Sequence, residues 1–187
     1  MEQHSRDKEE TAIILDFLNN GYPFDSRPSH LKTPIAQALG KTHFVLLEVV
    51  PKKGVFLQPL EEVYIGEGKR DKVHHIIGRL PLDKLTTTAK SELRFVIEDL
   101  VIKNEKIFVE FFNKAMPLTT RMHQLELLPG LGKKHMWEII EERRDPFQSF
   151  EDIKKRVKLM PDPKKAIIKR IEQEIFGEEK HRVFVDI

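Results

Sequence analysis

The seven residues Leu128-Pro129-Gly130-Leu131-Gly132-Lys133-Lys134 join two glycines, a proline and two lysines at the start of an amphipathic stretch. Such a combination is suited to holding a phosphate. Gly130 and Gly132 can take positive φ and let another backbone come close. A helix that begins at Lys133 opens with unpaired N–H groups and a partial positive charge, where an anion fits. Lys133 and Lys134 add full charges beside it. The alternative is a plain connector between two packed helices, because a lone glycine turn has little specificity.

The turn needs elements on both sides to aim it. Met122, Leu125 and Leu128 fall at helical spacing over 120–127, and Met136, Trp137, Ile139 and Ile140 mark one side of a helix over 133–144. Asp145-Pro146 ends that helix, and Ser149 is a fair N-cap for a third, whose apolar face is Phe150, Ile153 and Val157. After Met160-Pro161-Asp162-Pro163 a fourth helix runs to about Phe176 on Ile167, Ile168, Ile171 and Ile175. The order is helix, hairpin, helix, linker, helix, hairpin, helix. Around the second hairpin, Lys154, Lys155, Arg156, Lys158, Lys164, Lys165, Lys169 and Arg170 face Asp162 alone. Such a run is either a solvated helix face or a phosphate-binding patch, and Lys158, Lys164 and Lys165 are its candidates beside the hairpin.

Residues 119–176 resemble the tandem helix-hairpin-helix domain of DNA-uptake receptors and repair proteins. The likeness rests on Leu128 to Lys134 and on the linker Pro146-Phe147-Gln148-Ser149-Phe150-Glu151-Asp152-Ile153. It implies that Gly130, Leu131, Gly132, Lys133 and Lys134 contact the phosphates of one strand across the minor groove without reading bases. The second hairpin departs from that pattern: it has no glycine, its two prolines donate no N–H, and Asp162 repels phosphate. Its contribution is expected from lysine side chains instead.

Ahead of this region the period shortens. Residues 11–18, 44–50, 62–65 and 74–80 are expected to be strands, separated by turns rich in Gly and Lys, which suggests a small barrel. From about Thr88, Ala89, Leu93, Val96, Ile97 and Leu100 mark a long amphipathic helix capped by the Thr86 to Thr88 run. Phe108, Phe111 and Phe112 follow on a short helix that Pro117 ends. A barrel of this kind binds single strands through a basic groove with aromatic platforms. Lys69, Arg70, Lys72, Arg79 and Tyr64, with His74 or His75, are the candidates, although Tyr64 and Phe44 read as core, and Lys69, Arg70 and Lys72, interleaved with Glu67 and Asp71, as an ordinary solvated turn.

Taken together, Leu57 to Gly66, Leu85 to Leu93, Phe111 to Ala115 and Thr119 to Leu128 resemble an archaeal family of unknown function numbered six five five. The resemblance spans nearly the whole chain. It implies an α+β protein of two domains, an N-terminal OB-like (S1-like) barrel followed by an α-helical tandem helix-hairpin-helix domain, and a predicted nucleic-acid-binding, often RNA-binding, role. The expected divisions are 1–83 for the barrel, 84–118 for bridging helices, 119–178 for the helix-hairpin-helix domain and 179–187 for a tail offering a strand.

Composition agrees with two modest globular domains: 187 residues, 40% hydrophobic and 33% charged, with a net charge of +2. No apolar run approaches the roughly 18 residues of a membrane span, and Met1 to Glu10 is charged throughout. With no cysteine in the sequence, a cytoplasmic location is expected. The 8 histidines show no metal-ligand spacing; His74 and His75 are neighbours and would point to opposite faces of a strand. No Ser-His-Asp, Walker A or two-metal Asp signature is present, and Asp152 falls within the linker motif. The expectation is a non-enzymatic, cofactor-free protein that binds RNA or DNA largely without regard to sequence, with no membrane role. An adaptor or homodimer that recruits a nucleic-acid enzyme is the alternative, with Trp137, Phe147 and Phe150 as an exposed anchor, although these three aromatics read rather as the core of the helical domain, and a repair-type nuclease or glycosylase is a more distant one.

Overall fold

The computed structural model describes residues 8–177 and 179–186. The chain is α+β. Five strands, β1 (Thr11–Leu18), β2 (Ile35–Gly40), β3 (Leu46–Pro51), β4 (Glu62–Tyr64) and β5 (Val73–Arg79), form one antiparallel sheet in the order β4-β1-β2-β3-β5. β1, β2 and β3 run as consecutive antiparallel neighbours and β4 returns to pair with β1, which is a Greek-key arrangement. Irregularities at Ile14/Asp16, Glu48/Val49 and Val50/Pro51 curl the sheet, because an extra residue on one strand bends it and increases its twist. The result is a half-barrel with β4 and β5 as free edges among the described residues, in place of the closed barrel the short strands suggested.

One sheet face buries Ala12, Ile14, Ala36, Ala38, Leu47, Val49, Val63 and Val73. The four strands expected from the sequence are present within a residue or two at most ends. β2 is the addition. Its Ala-Gln-Ala-Leu-Gly composition has little strand propensity, yet Ala36 to Gly40 are buried on both faces, where small side chains let neighbours close in.

Among the described residues five α-helices follow: α1 (Thr87–Lys103), α2 (Glu105–Lys114), α3 (Lys133–Glu142), α4 (Phe150–Arg156) and α5 (Pro163–Phe176). The Thr86 hydroxyl accepts the Ala89 N–H at 3.1 Å and so caps α1, and Ala89, Leu93, Val96, Ile97 and Leu100 are all buried as the pattern requires. Gln37 holds the start of this helix against the sheet: its amide donates to the Lys84 carbonyl at 2.7 Å and accepts from the Thr86 N–H at 3.0 Å. It also donates to the Tyr22 hydroxyl, which donates in turn to Glu48. Burial pushes the Tyr22 phenol up to about 12.

The helix expected over 120–127 is absent. Residues Gln124–Leu127 make a single 3-10 turn, preceded by a bridge between Pro117 and His123. His123 stops a helix from extending backwards: its Nδ1 caps the Leu125 N–H at 3.1 Å, while Glu126 accepts the His123 N–H at 3.0 Å. The tail strand expected over 179–187 does not form among its described residues. The N–H groups of Val183 and Phe184 donate to the Glu174 carboxylate, at 3.0 and 2.9 Å, and are lost to strand pairing.

By contact density the described residues divide into two compact units, one running to Val96 together with Val185 and Asp186, the other from Ile97 to Phe184. Among the described residues no helix is long and apolar enough to cross a membrane.

Candidate nucleic-acid interface

The helical unit contains two turns that lead into exposed helix starts. In the first, Leu128 is buried and Gly130 has φ +83, a left-handed conformation suited to glycine. The Leu131 N–H donates back to the Leu128 carbonyl at 3.1 Å and the Leu131 side chain is buried, so Leu131 shapes the turn and its N–H is already used. Gly132 is extended, with φ −101 and ψ −174, and a side chain built there would meet nothing within 4 Å. It needs no positive φ, contrary to the freedom the sequence suggested; its exposure is what matters.

α3 therefore begins at a residue with no side chain. The N–H groups of Lys133, Lys134 and His135 lack an intrahelical acceptor, and Gly132 supplies no capping oxygen. α4 and α5 differ, because Ser149 caps the Asp152 N–H at 3.0 Å and Asp162 caps the Lys165 N–H at 3.1 Å. Lys133 reaches Glu126 at 3.4 Å, and Lys134 is exposed with no ion pair among the described residues.

The second turn, Val157 to Asp162, lies against the first. A Cβ on Gly130 would come within 2.9 Å of the Pro161 ring, and His135 Nε2 is 3.1 Å from the Leu159 carbonyl. Lys158 donates its backbone N–H to Glu138 on α3 at 2.8 Å. Leu159 has φ +57, so both turns contain one left-handed residue, glycine in the first and leucine in the second. Pro163 has no N–H and Asp162 occupies that of Lys165, which leaves few backbone donors at the start of α5. The Lys158 and Lys165 side chains are exposed, while Lys164 is half-buried beside a small hollow of about 290 Å3 that also touches Asp162 and Lys154.

The basic run does not act as one surface. Arg170 is 4% exposed; it pairs with buried Glu174 at 2.9 Å and donates to the Leu127 and His181 carbonyls. Arg156 pairs with Glu142 and Asp152 and lies over the Phe147 ring. Asp152 accepts the Gln148 N–H at 3.0 Å, a structural task for the residue that repair-type chemistry would have used. Of the three aromatics expected in the core, Phe147 and Phe150 are buried, whereas Trp137 is exposed, at 64%. One residue on from Met136, it turns off the α3 face that buries Met136 and Ile139.

In the sheet unit a cleft of about 1310 Å3 is lined by Lys8, Lys41, Arg70 and Arg79, but also by Glu9, Glu10, Glu67 and Asp186. Arg70 donates to the Gly66 carbonyl at 2.8 Å. Lys72 is bound to Glu61 and Lys69 stands exposed on the turn, and neither lines the cleft. Tyr64, expected in the core, is 39% exposed at the cleft with its hydroxyl accepting the Gly68 N–H, whereas Phe44 is buried as expected. Lys41 was not foreseen: it flanks the β2–β3 turn and pairs with Glu62 at 3.0 Å, and nothing in its local sequence sets it apart from any turn lysine. His74 and His75 share a side: their Nδ1 atoms are 2.7 Å apart, because the irregular pairing opposite Val50/Pro51 breaks strict alternation. Among the described residues no three His, Asp or Glu side chains come together as a metal site.

Comparison with known proteins gives one consistent answer. A family described as a protein of unknown function (DUF655) matches residues 8–186. The uncharacterised protein MJ0038 of Methanocaldococcus jannaschii is 44% identical over 178 residues, covering 95% of this chain and 79% of that protein. The crystal structure of Af1531 from Archaeoglobus fulgidus, titled a DUF655 family model, superposes with a TM-score of 0.85 at 49% identity, over 95% of this chain and 100% of that one.

Proposed function

We propose that this chain, which belongs to the DUF655 family, is a non-enzymatic protein that binds nucleic acid through phosphates, its helical unit acting as a tandem helix-hairpin-helix and its half-barrel as an OB-like second surface. The observation that carries the reading is the pairing of the two turns. Gly130 against Pro161 and His135 against the Leu159 carbonyl bring the uncapped start of α3 beside the second turn, so its backbone donors lie near a turn that carries Lys158, exposed and without an ion pair among the described residues. Backbone N–H groups and lysines contact phosphate without reading bases, which favours binding independent of sequence. The cleft in the sheet unit ranks second because its carboxylates offset much of its positive charge.

The test is a titration of labelled duplex and single strands across a range of salt. With roughly three to six phosphate contacts, log K falls against log salt with a slope of about −0.9 per contact on duplex DNA. A slope near zero, or a strong consensus from a random pool, sinks the phosphate reading. The exposed Trp137 favours one second reading, an adaptor role in which this side chain seats in a protein partner. Trp137→Ala would then abolish that association and leave nucleic-acid affinity unchanged.

A further inference from the structure

We infer that Leu159 is an apolar wedge that enters the base stack of a bound duplex, between the phosphate contacts of the two turns; the inference rests on the reading of this face as a nucleic-acid interface. Leu159 is the most exposed large hydrophobic side chain among the described residues, at 88%. It also holds a left-handed φ of +57, a conformation that glycine, asparagine or aspartate takes far more readily. Two other non-glycine residues share that region, Phe44 and Leu60. Phe44 is 3% exposed, so its burial accounts for its identity, and Leu60, at 45%, is about half as exposed as Leu159. Nothing among the described residues covers Leu159.

The tip is nevertheless held firmly. The Leu159 carbonyl meets His135 Nε2, the preceding N–H is fixed by Glu138, and Pro161 two residues on lies against Gly130. A rigid backbone therefore presents one bare leucine to solvent. Its neighbours select the partner by charge: Lys158 beside it and Lys134 on α3 have no ion pair among the described residues, which suits a polyanion and opposes a basic protein. Proteins that contact the backbone from the minor groove insert leucine, isoleucine, methionine or proline between base steps in this way. A wedge does least work where stacking is already weak, so it favours mismatched or pyrimidine–purine steps over rigid ones.

The experiment uses the full chain and a DNA duplex carrying 2-aminopurine, either fully paired or beside a mismatch. On saturation the parent is expected to raise the 2-aminopurine fluorescence and to bind the mismatched duplex at least about threefold more tightly than the paired one. Leu159→Asn tolerates the left-handed backbone but removes the wedge. It should bind with the parental salt slope, give no fluorescence rise and lose the mismatch preference. Leu159→Met should retain both signals. If the parent binds with flat fluorescence and no preference, the wedge is overturned while the phosphate reading stands. If the parent binds no nucleic acid at all, both fall.

Discussion

Gly130 and Gly132, two residues apart in one turn, have opposite requirements, and substitution separates them. At Gly130 the backbone is left-handed and a Cβ would collide with Pro161. Gly130→Val should therefore cost on the order of 1 to 3 kcal/mol, read as a fall in Tm. Gly132 is extended in open space, so Gly132→Val should shift stability by no more than about 0.5 kcal/mol. It should still weaken nucleic-acid binding, because the branched side chain stands where a phosphate must approach α3. Unchanged affinity in a folded Gly132→Val protein would make the turn a connector. His123 carries a second residue-scale expectation. Burial, and then the nearby Arg143 cation, hold its imidazole below the usual histidine range. The folded state therefore favours the neutral ring, whose Nδ1 accepts the Leu125 N–H. As pH falls below about 6.5 the unfolded chain takes up the proton first, and stability drops. His123→Asn keeps an acceptor at the cap and removes the titration. Chemical denaturation at about pH 7.5 and 5.5 should show a smaller loss in the variant than in the parent, and equal losses would contradict the assignment.

At the level of elements, α5 divides a charge run into two roles. Lys164 and Lys165 stand in its first turn, whereas Arg170, less than two turns later, is buried against Glu174 and ties down the chain that follows. Removing one partner of a buried ion pair leaves the other charge uncompensated. Arg170→Met should cost about 3 to 5 kcal/mol, while its exposed neighbour Lys169→Met should cost no more than about 0.5 kcal/mol; thermal melts of the two variants check this. Lys164→Ala with Lys165→Ala should leave the fold intact and weaken nucleic-acid binding mainly at low salt, since the capped, proline-led start of α5 has few backbone donors to fall back on. Equal loss at high salt would show that the second turn binds phosphate through its backbone after all.

For the whole molecule, a net charge of +2 gives little long-range pull, so affinity depends on where charges lie unpaired. In the sheet unit several cations already have carboxylate partners: Lys8 with Glu67, Lys41 with Glu62 and Lys72 with Glu61. Because Glu9, Glu10, Glu67 and Asp186 line the same cleft as Arg70 and Arg79, Arg70→Ala with Arg79→Ala should reduce duplex affinity less than Lys133→Ala with Lys134→Ala, measured by titration at one salt concentration. The reverse order would move the main interface to the half-barrel.

Features that depend on short-range pattern are legible along the chain. Four of the five strands, the Thr86 and Ser149 helix starts, the Gly130 turn and the buried face of α1 all follow from local composition, spacing and capping chemistry. Tertiary structure decided what depends on residues far apart in the chain. β2 is a strand because both its faces are covered, which no propensity of Ala36 or Ala38 announces. Residues 120–127 shorten to one 3-10 turn because His123 finds a capping role, and Arg170 becomes a core residue because Glu174 and the following carbonyls surround it. The meeting of the two turns belongs to the same class. Gly130 and Pro161 are neighbours only once α3, α4 and α5 have packed, since burying their apolar faces on one core brings together residues 31 positions apart.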